Sequence, residues 1–353
     1  MAVMGEEGRG PLLMDVSRTV FLREDKLVLI DRRHLPQAAV EVVCSDHEAV
    51  AKAIEEMAVQ GAGDIAIAAG YGLYLAARRA AESSNCAEAW NFLQEAKQRL
   101  TATRPTGYHL AALLGWLLKR VEVGKPNWPE QILAALEQAV ENQRKRSRST
   151  GAWAETLLAD GDVILTHCFP GAALLYMLQE ASAKGKRVEV IATETRPYLQ
   201  GARLTAWAVS ELGIPVTLIT DNMAAYCMSI GRITKVFTAA DRIALDGTVA
   251  NKVGTFQLAL AACYHRLPFY VLGYGGPDSH CATGKDIPIE MRDPEEVLCF
   301  NGKRITGDKV KGFYPAFDLT PPALITGIVT DRGIFAAERI SEYRTLNPGS
   351  HST

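Results

Sequence analysis

The chain has 353 residues, 48% of them hydrophobic and 22% charged, enough to bury a substantial core in one large domain or two. Its 38 Lys and Arg against 40 Asp and Glu leave a net charge of −2, which argues against a general nucleic-acid binder. No apolar stretch approaches the roughly 18 residues of a membrane span. Residues 1–11 carry Glu6, Glu7 and Arg9 where a signal peptide needs an apolar centre, so a cytoplasmic location is expected. The seven cysteines are scattered without a CxxC pair, which indicates neither a disulfide framework nor a zinc ribbon.

In chain order, the apolar runs 19–22 and 27–30 flank a polar turn and read as a hairpin. Asp46 is placed to cap a helix carrying Val50, Ile54 and Met57, which Gly61-Ala62-Gly63 breaks. Helices are expected over 65–81, 86–100 and 109–123. Pro126 and Pro129 flank Trp128 in a joint, so the expected division is a mainly helical domain with a small sheet over 1–127 and a second domain over 128–353. A helix is expected over 130–146. Beyond it the pattern alternates: strands at 162–166, 187–192, 216–219, 235–237 and 269–272, and helices at 172–184, 204–212, 223–229 and 255–265. Such alternation predicts an α/β domain, a parallel sheet with helices on both faces, whose ligand lies at the carboxyl ends of the strands.

Three strand-to-helix loops carry reactive side chains. Thr166-His167-Cys168-Phe169-Pro170-Gly171 places a cysteine before a helix start, where the positive end of the helix favours thiolate. His167 is ambiguous, because neighbours on a strand face opposite ways. In the segment 194–203, Arg196, Gln200, Gly201 and Arg203 suit either an anion site or a structural ion pair. Asp241 follows a short apolar strand, as acid/base group or helix cap, and Asn251-Lys252 precede a helix start that suits phosphate. In the first third, Gln60-Gly61-Ala62-Gly63 and Thr103-Arg104-Pro105 open helices, but the glycines lack the spacing of a dinucleotide fingerprint or a P-loop. No metal-ligand pattern stands out. These residues describe an anion-binding α/β enzyme with Cys168 and Asp241 as its leading acid/base candidates.

Four motifs in order, Thr166-His167-Cys168 with Gly171, Glu194-Thr195-Arg196-Pro197 with Gln200-Gly201 and Arg203 to Trp207, Ala240 to Ile243 with Ala250-Asn251-Lys252, and Pro315 to Pro322, give a chain that resembles the methylthioribose-1-phosphate isomerases over roughly residues 20 to 340. That family is related to ribose-1,5-bisphosphate isomerases and to regulatory subunits of a translation-initiation exchange factor. The resemblance implies a Rossmann-like second domain without dinucleotide, a homodimer, no cofactor and no metal. It places the family's catalytic cysteine on Cys168 and its catalytic aspartate on Asp241. It places the substrate and phosphate contacts on Gln60, Gly61, Ala62, Arg104, Gln200, Asn251 and Lys252.

The chain departs from the family pattern near the substrate. Gln60 stands where the family has arginine, and Gly63 where it has proline. Phe169-Pro170 replaces Asn-Ala, and Tyr274-Gly275-Gly276-Pro277-Asp278 replaces a Pro-Ser-Thr-hydrophobic-Asp loop. These departures suggest a paralogue. The expected reaction converts S-methyl-5-thioribose 1-phosphate or 5-deoxyribose 1-phosphate, a small-molecule sugar phosphate, to the ribulose 1-phosphate. Asp241 would act as the ring-opening acid, and Cys168 as thiolate base or hydroxyl-proton shuttle. Ribose 1,5-bisphosphate ranks below these, for want of basic residues, and a non-enzymatic regulatory subunit is the competing reading.

Overall fold

The computed structural model describes residues 10–122 and 127–345, and the chain forms two compact units that divide at Lys145/Arg146. In the first unit β1 (Val20–Arg23) and β2 (Lys26–Ile30) pair antiparallel through Glu24 and Asp25, both with positive φ, the two-residue turn whose twist suits a hairpin. A third strand, β3 (Glu41–Cys44), pairs with β2 and was not anticipated; its four residues are too few to show an alternation. Four helices follow: α1 (His47–Glu55), α2 (Ala62–Ala80), α3 (Cys86–Ala102) and α4 (Tyr108–Leu118). The Asp46 carboxylate accepts the Ala49 amide at 2.8 Å, the expected cap of α1. Buried Val50, Ile54, Leu73, Leu93, Leu100, Leu114 and Leu117 interlock these helices over β2.

Helix α5 (Trp128–Glu155) begins two residues before its expected start and runs well past its expected end. Pro129 is tolerated because the first helical turn has no internal acceptor for an N–H there. The division between units therefore falls inside α5, whereas 127/128 was expected.

In the second unit, β4 (Val163–Thr166), α6 (Ala172–Ala183) and β5 (Glu189–Thr193) lead to one π-helical turn (Gly201–Ala206) that continues as α7 (Trp207–Ser210). Then come β6 (Val216–Ile219), α8 (Ala224–Ser229), β7 (Lys235–Ala239), β8 (Arg242–Ile243), β9 (Val249–Lys252), α9 (Thr255–Tyr264) and β10 (Phe269–Tyr274). A short α10 (Glu295–Leu298) precedes the ribbon of β11 (Cys299–Phe300) and β12 (Lys303–Arg304), and β13 (Phe317–Thr320), β14 (Gly327–Thr330) and β15 (Gly333–Phe335) follow.

The main sheet has the order β15-β14-β10-β7-β4-β5-β6. Its six parallel strands, numbered as they occur in this unit, read 3-2-1-4-5-6, the order that reverses direction between the first and fourth strands. The expectation of a parallel sheet needs one correction: β15 closes the edge antiparallel to β14, so the sheet is mixed. A second correction concerns β8, β9 and β13, which form a separate antiparallel sheet where loops were expected. Its pairing joins residues about 65 positions apart, which local periodicity does not reveal. Among the described residues no helix is long and apolar enough to cross a membrane.

Candidate active site

The reversal point of the sheet lies between β4 and β7, and Cys168 and Asp241 each stand two residues past the end of one of these strands. In an open α/β sheet that is where the crevice for a ligand forms. Cys168 has φ +60°, a strained value for a non-glycine residue. Two threonines hold it there: Thr195 Oγ1 accepts the Cys168 amide at 2.9 Å, and Thr205 Oγ1 donates to the Cys168 carbonyl. Thr195 is itself fixed, its amide donating to Asp221 at 2.7 Å.

Part of the Cys168 surface is open to solvent, yet its thiol lies deep among protein atoms. Burial pushes its pKa up to about 11. The Lys252 ammonium and the Phe169 amide oppose this, while Asp241 and Asp221 reinforce it. Desolvation thus outweighs the pull of the helix start toward thiolate, and the group is a thiol at neutral pH. The same influences put Lys252 and Asp241 within electrostatic reach of the sulfur. Asp241 is half-buried, with its amide donating to Ala250 at 2.9 Å across the small sheet.

His167 has a structural role. Its Nε2 lies 2.9 Å from the Val253 carbonyl, which only accepts, so Nε2 carries the proton and Nδ1 accepts from Thr193 at 2.6 Å. Burial keeps the imidazole neutral by lowering its pKa. Gly254, at φ +107°, lies so close that an added Cβ would fall 3.0 Å from that ring.

Lys252 and Asn251 sit on β9 rather than in a loop, and both are buried. Lys252 stands 4.9 Å over the Phe317 ring, its partner in the β9–β13 register. The Asn251 amide donates to Thr255 Oγ1 at 2.9 Å, and Thr255 Oγ1 donates to the Lys252 carbonyl at 2.7 Å. The start of α9 does not present all its amides to an anion as expected. Gly254 and Phe256 donate to the Asp318 carboxylate at 2.7 and 3.2 Å, an internal carboxylate whose pKa burial raises to about 6.

Gln200 opens the π-helical turn with its side chain buried and its Oε1 without a partner. Gly201 beside it packs so tightly that a Cβ would fall 1.8 Å from the Thr193 carbonyl. The two arginines of this loop, left open between anion site and ion pair, donate to backbone: Arg196 to Cys299 at 3.0 Å and Arg203 to Tyr198 at 2.9 Å.

Gln60, Gly61, Ala62 and Arg104 belong to the first unit. There Met57, at φ +63°, joins two of them: its carbonyl accepts the Gln60 amide at 2.9 Å, and its sulfur lies 2.9 Å from the Arg104 guanidinium. Gly61 precedes α2 and Ala62 begins it. The fully buried Arg32, which the sequence reading passed over, binds the Gln60 carbonyl and the Asp64 carboxylate and so fixes this turn. Thr195, Thr205 and Asp221 were also missed as the frame of Cys168; the only available signal was their position after β5, in the π-helical turn and after β6.

Similarity to known proteins extends over most of the chain. The initiation factor 2 subunit family matches residues 58–337. A methylthioribose-1-phosphate isomerase from Thermosipho africanus is 42% identical over 325 residues, covering 88% of this chain and 92% of that protein. The crystal structure of a 5-methylthioribose 1-phosphate isomerase from Pyrococcus horikoshii superposes with a TM-score of 0.82 at 34% identity, over 97% of this chain and 98% of that one. A translation initiation factor eIF-2B delta subunit from A. fulgidus gives a TM-score of 0.76 at 36% identity, over 93% and 99%. By sequence and fold the chain belongs to the initiation factor 2 subunit family and, within it, to the methylthioribose-1-phosphate isomerase family, a family of isomerases.

Proposed function

We propose that the protein is an aldose–ketose isomerase that converts S-methyl-5-thioribose 1-phosphate to the corresponding ribulose 1-phosphate. The observation that carries this is the pairing of Cys168 and Asp241 at the reversal point of the sheet, with Lys252 beside them. The relatives whose names specify this substrate are about two-fifths identical over most of the chain.

A 1-phosphorylated furanose has no free aldehyde, so its ring must open before isomerisation. Asp241 protonates the ring oxygen as the bond to C1 breaks. The electron-deficient C1 left by ring opening takes hydride from C2, and the C2 hydroxyl proton passes through Cys168 to the Asp241 carboxylate, leaving the C2 carbonyl and restoring the acid. A thiol that keeps its proton at neutral pH is a poor standing base for C2–H, so its raised pKa supports direct transfer of hydrogen with Cys168 relaying the hydroxyl proton. Lys252, Asn251 and Gln200 serve the sugar phosphate. In the first unit Gln60, Gly61, Ala62 and Arg104 are assigned to the phosphate on family resemblance alone.

The departures at Gln60, Phe169 and Tyr274 support acceptance of a smaller C5 end, so 5-deoxyribose 1-phosphate is proposed as a second substrate. The likeness to an eIF-2B subunit supports a regulatory reading less well, because a regulatory subunit has no need of the Cys168–Asp241 pair. We further propose a homodimer through α8 and α9. Tyr226 on α8 and Met223 and Ile230, which flank its two ends, are exposed, as are Phe256, Leu260 and Tyr264 at four-residue spacing along α9. Incubation of the purified protein with S-methyl-5-thioribose 1-phosphate, followed by NMR for a C2 carbonyl, tests the assignment; absence of ketose would refute it.

A further inference from the structure

Tyr314 is 2% exposed, and its hydroxyl has no hydrogen-bond partner. Native interiors rarely leave such a group unpaired, because desolvating it without compensation is costly. The nearby Arg292, Tyr198 and Glu296 are engaged with one another. Arg292 donates to the Tyr198 hydroxyl at 2.5 Å and pairs with Glu290 and Glu296 at 3.2 and 3.1 Å. The Tyr198 ring lies 6.5 Å from that of Tyr314.

The backbone ties Tyr314 to the site. Its carbonyl accepts the Arg292 amide at 3.0 Å, and two residues on the Ala316 carbonyl accepts the Val253 amide at 3.1 Å. Phe317 then stands opposite Lys252. Burial holds the phenol protonated, and Cys168 is among the groups that act on it in the same direction, so the hydroxyl lies within electrostatic reach of the sulfur as a donor. A second unpaired buried atom, Gln200 Oε1, belongs to the π-helical turn whose Thr205 holds the Cys168 carbonyl. Two buried polar side chains without partners thus lie on segments tied to Cys168, as suits a ligand rich in hydroxyl groups.

We propose that Tyr314 is a substrate-binding residue whose hydroxyl donates a hydrogen bond to a sugar oxygen of the bound sugar phosphate. This rests on the isomerase reading and deepens it. In the free protein the hydroxyl is unpaired; the sugar supplies its acceptor.

Tyr314→Phe tests this, since it removes one oxygen and keeps the ring that packs near Tyr198. The expected result is a thermal midpoint equal to or above that of the wild type, with kcat/KM for S-methyl-5-thioribose 1-phosphate lowered ~10-fold, the scale of one hydrogen bond. Inorganic phosphate, which lacks the sugar, should bind wild type and variant alike. Wild-type kcat/KM in the variant would overturn the proposal. So would a loss of activity accompanied by a lowered midpoint and weakened phosphate binding, which would mark a structural role. A wild-type protein inert toward the compound would remove the isomerase reading and the proposal with it, and that outcome is recognised before any variant is made.

Discussion

The Tyr274 hydroxyl donates to the Pro170 carbonyl at 2.5 Å and accepts the Ala173 amide at 3.2 Å, so the end of β10 clamps the loop that follows Cys168. Pro170 and Tyr274 lie in two of the segments where the chain departs from its family pattern, and here they touch. The two departures form one structural unit.

Tyr274→Phe removes both contacts and leaves the Pro170 carbonyl and Ala173 amide without that partner. The expected cost is about 1–3 kcal/mol of stability, with a fall in kcat larger than any change in KM, since Cys168 loses its support. Denaturant titration together with steady-state kinetics would check this. An unchanged midpoint and kcat would show that the clamp carries no energy.

Cys168→Ser and Asp241→Asn should each lower turnover at least ~100-fold, the usual scale of acid–base catalysis, while circular dichroism stays that of the wild type. Near-wild-type turnover in either variant would remove that residue from the mechanism.

The Cys168 thiol also has a pH signature. With its pKa at about 11 against an ordinary value of 9.0, its thiolate fraction at neutral pH is ~100-fold below that of an ordinary cysteine. Deprotonation grows as pH rises, so alkylation of Cys168 should be slow at pH 7 and quicken about tenfold per pH unit up to pH 10. Peptide mapping by mass spectrometry gives the rate, with the exposed Cys86 and Cys263 as internal references. Rapid labelling of Cys168 at pH 7 would contradict the burial argument.

The apolar stripe on α8 and α9 predicts the assembly. Leu260→Glu combined with Tyr264→Glu places two charges on that stripe and should give a monomer by analytical ultracentrifugation, the wild type being a dimer. A monomeric wild type, or a dimeric variant, would refute this interface.

Much of this site is legible in the chain before folding. Cys168 and Asp241 each follow a short apolar run, and the alternation of such runs with helices is enough to place both at carboxyl ends of strands. The pairing of β9 with β13 is not legible, because Val249–Lys252 finds its partner far along the chain. Lys252 precedes a helix start as expected, but the strand that buries it against Phe317 carries no signal in the sequence. The direction of the Cys168 pKa shift is not legible for a related reason: a helix start that favours thiolate is visible in sequence, whereas the depth of burial that outweighs it is not. Tyr314 and Arg32 carry no local signal at all, since each owes its place to segments distant in sequence.

The central claim is that the Cys168–Asp241 site isomerises a 5-modified ribose 1-phosphate, and the most direct test compares three compounds on one preparation. The kcat/KM for S-methyl-5-thioribose 1-phosphate or 5-deoxyribose 1-phosphate should exceed that for ribose 1,5-bisphosphate by at least ~100-fold, because burying a second, unpaired phosphate costs far more than losing an apolar contact. Equal or faster turnover of the bisphosphate would contradict it.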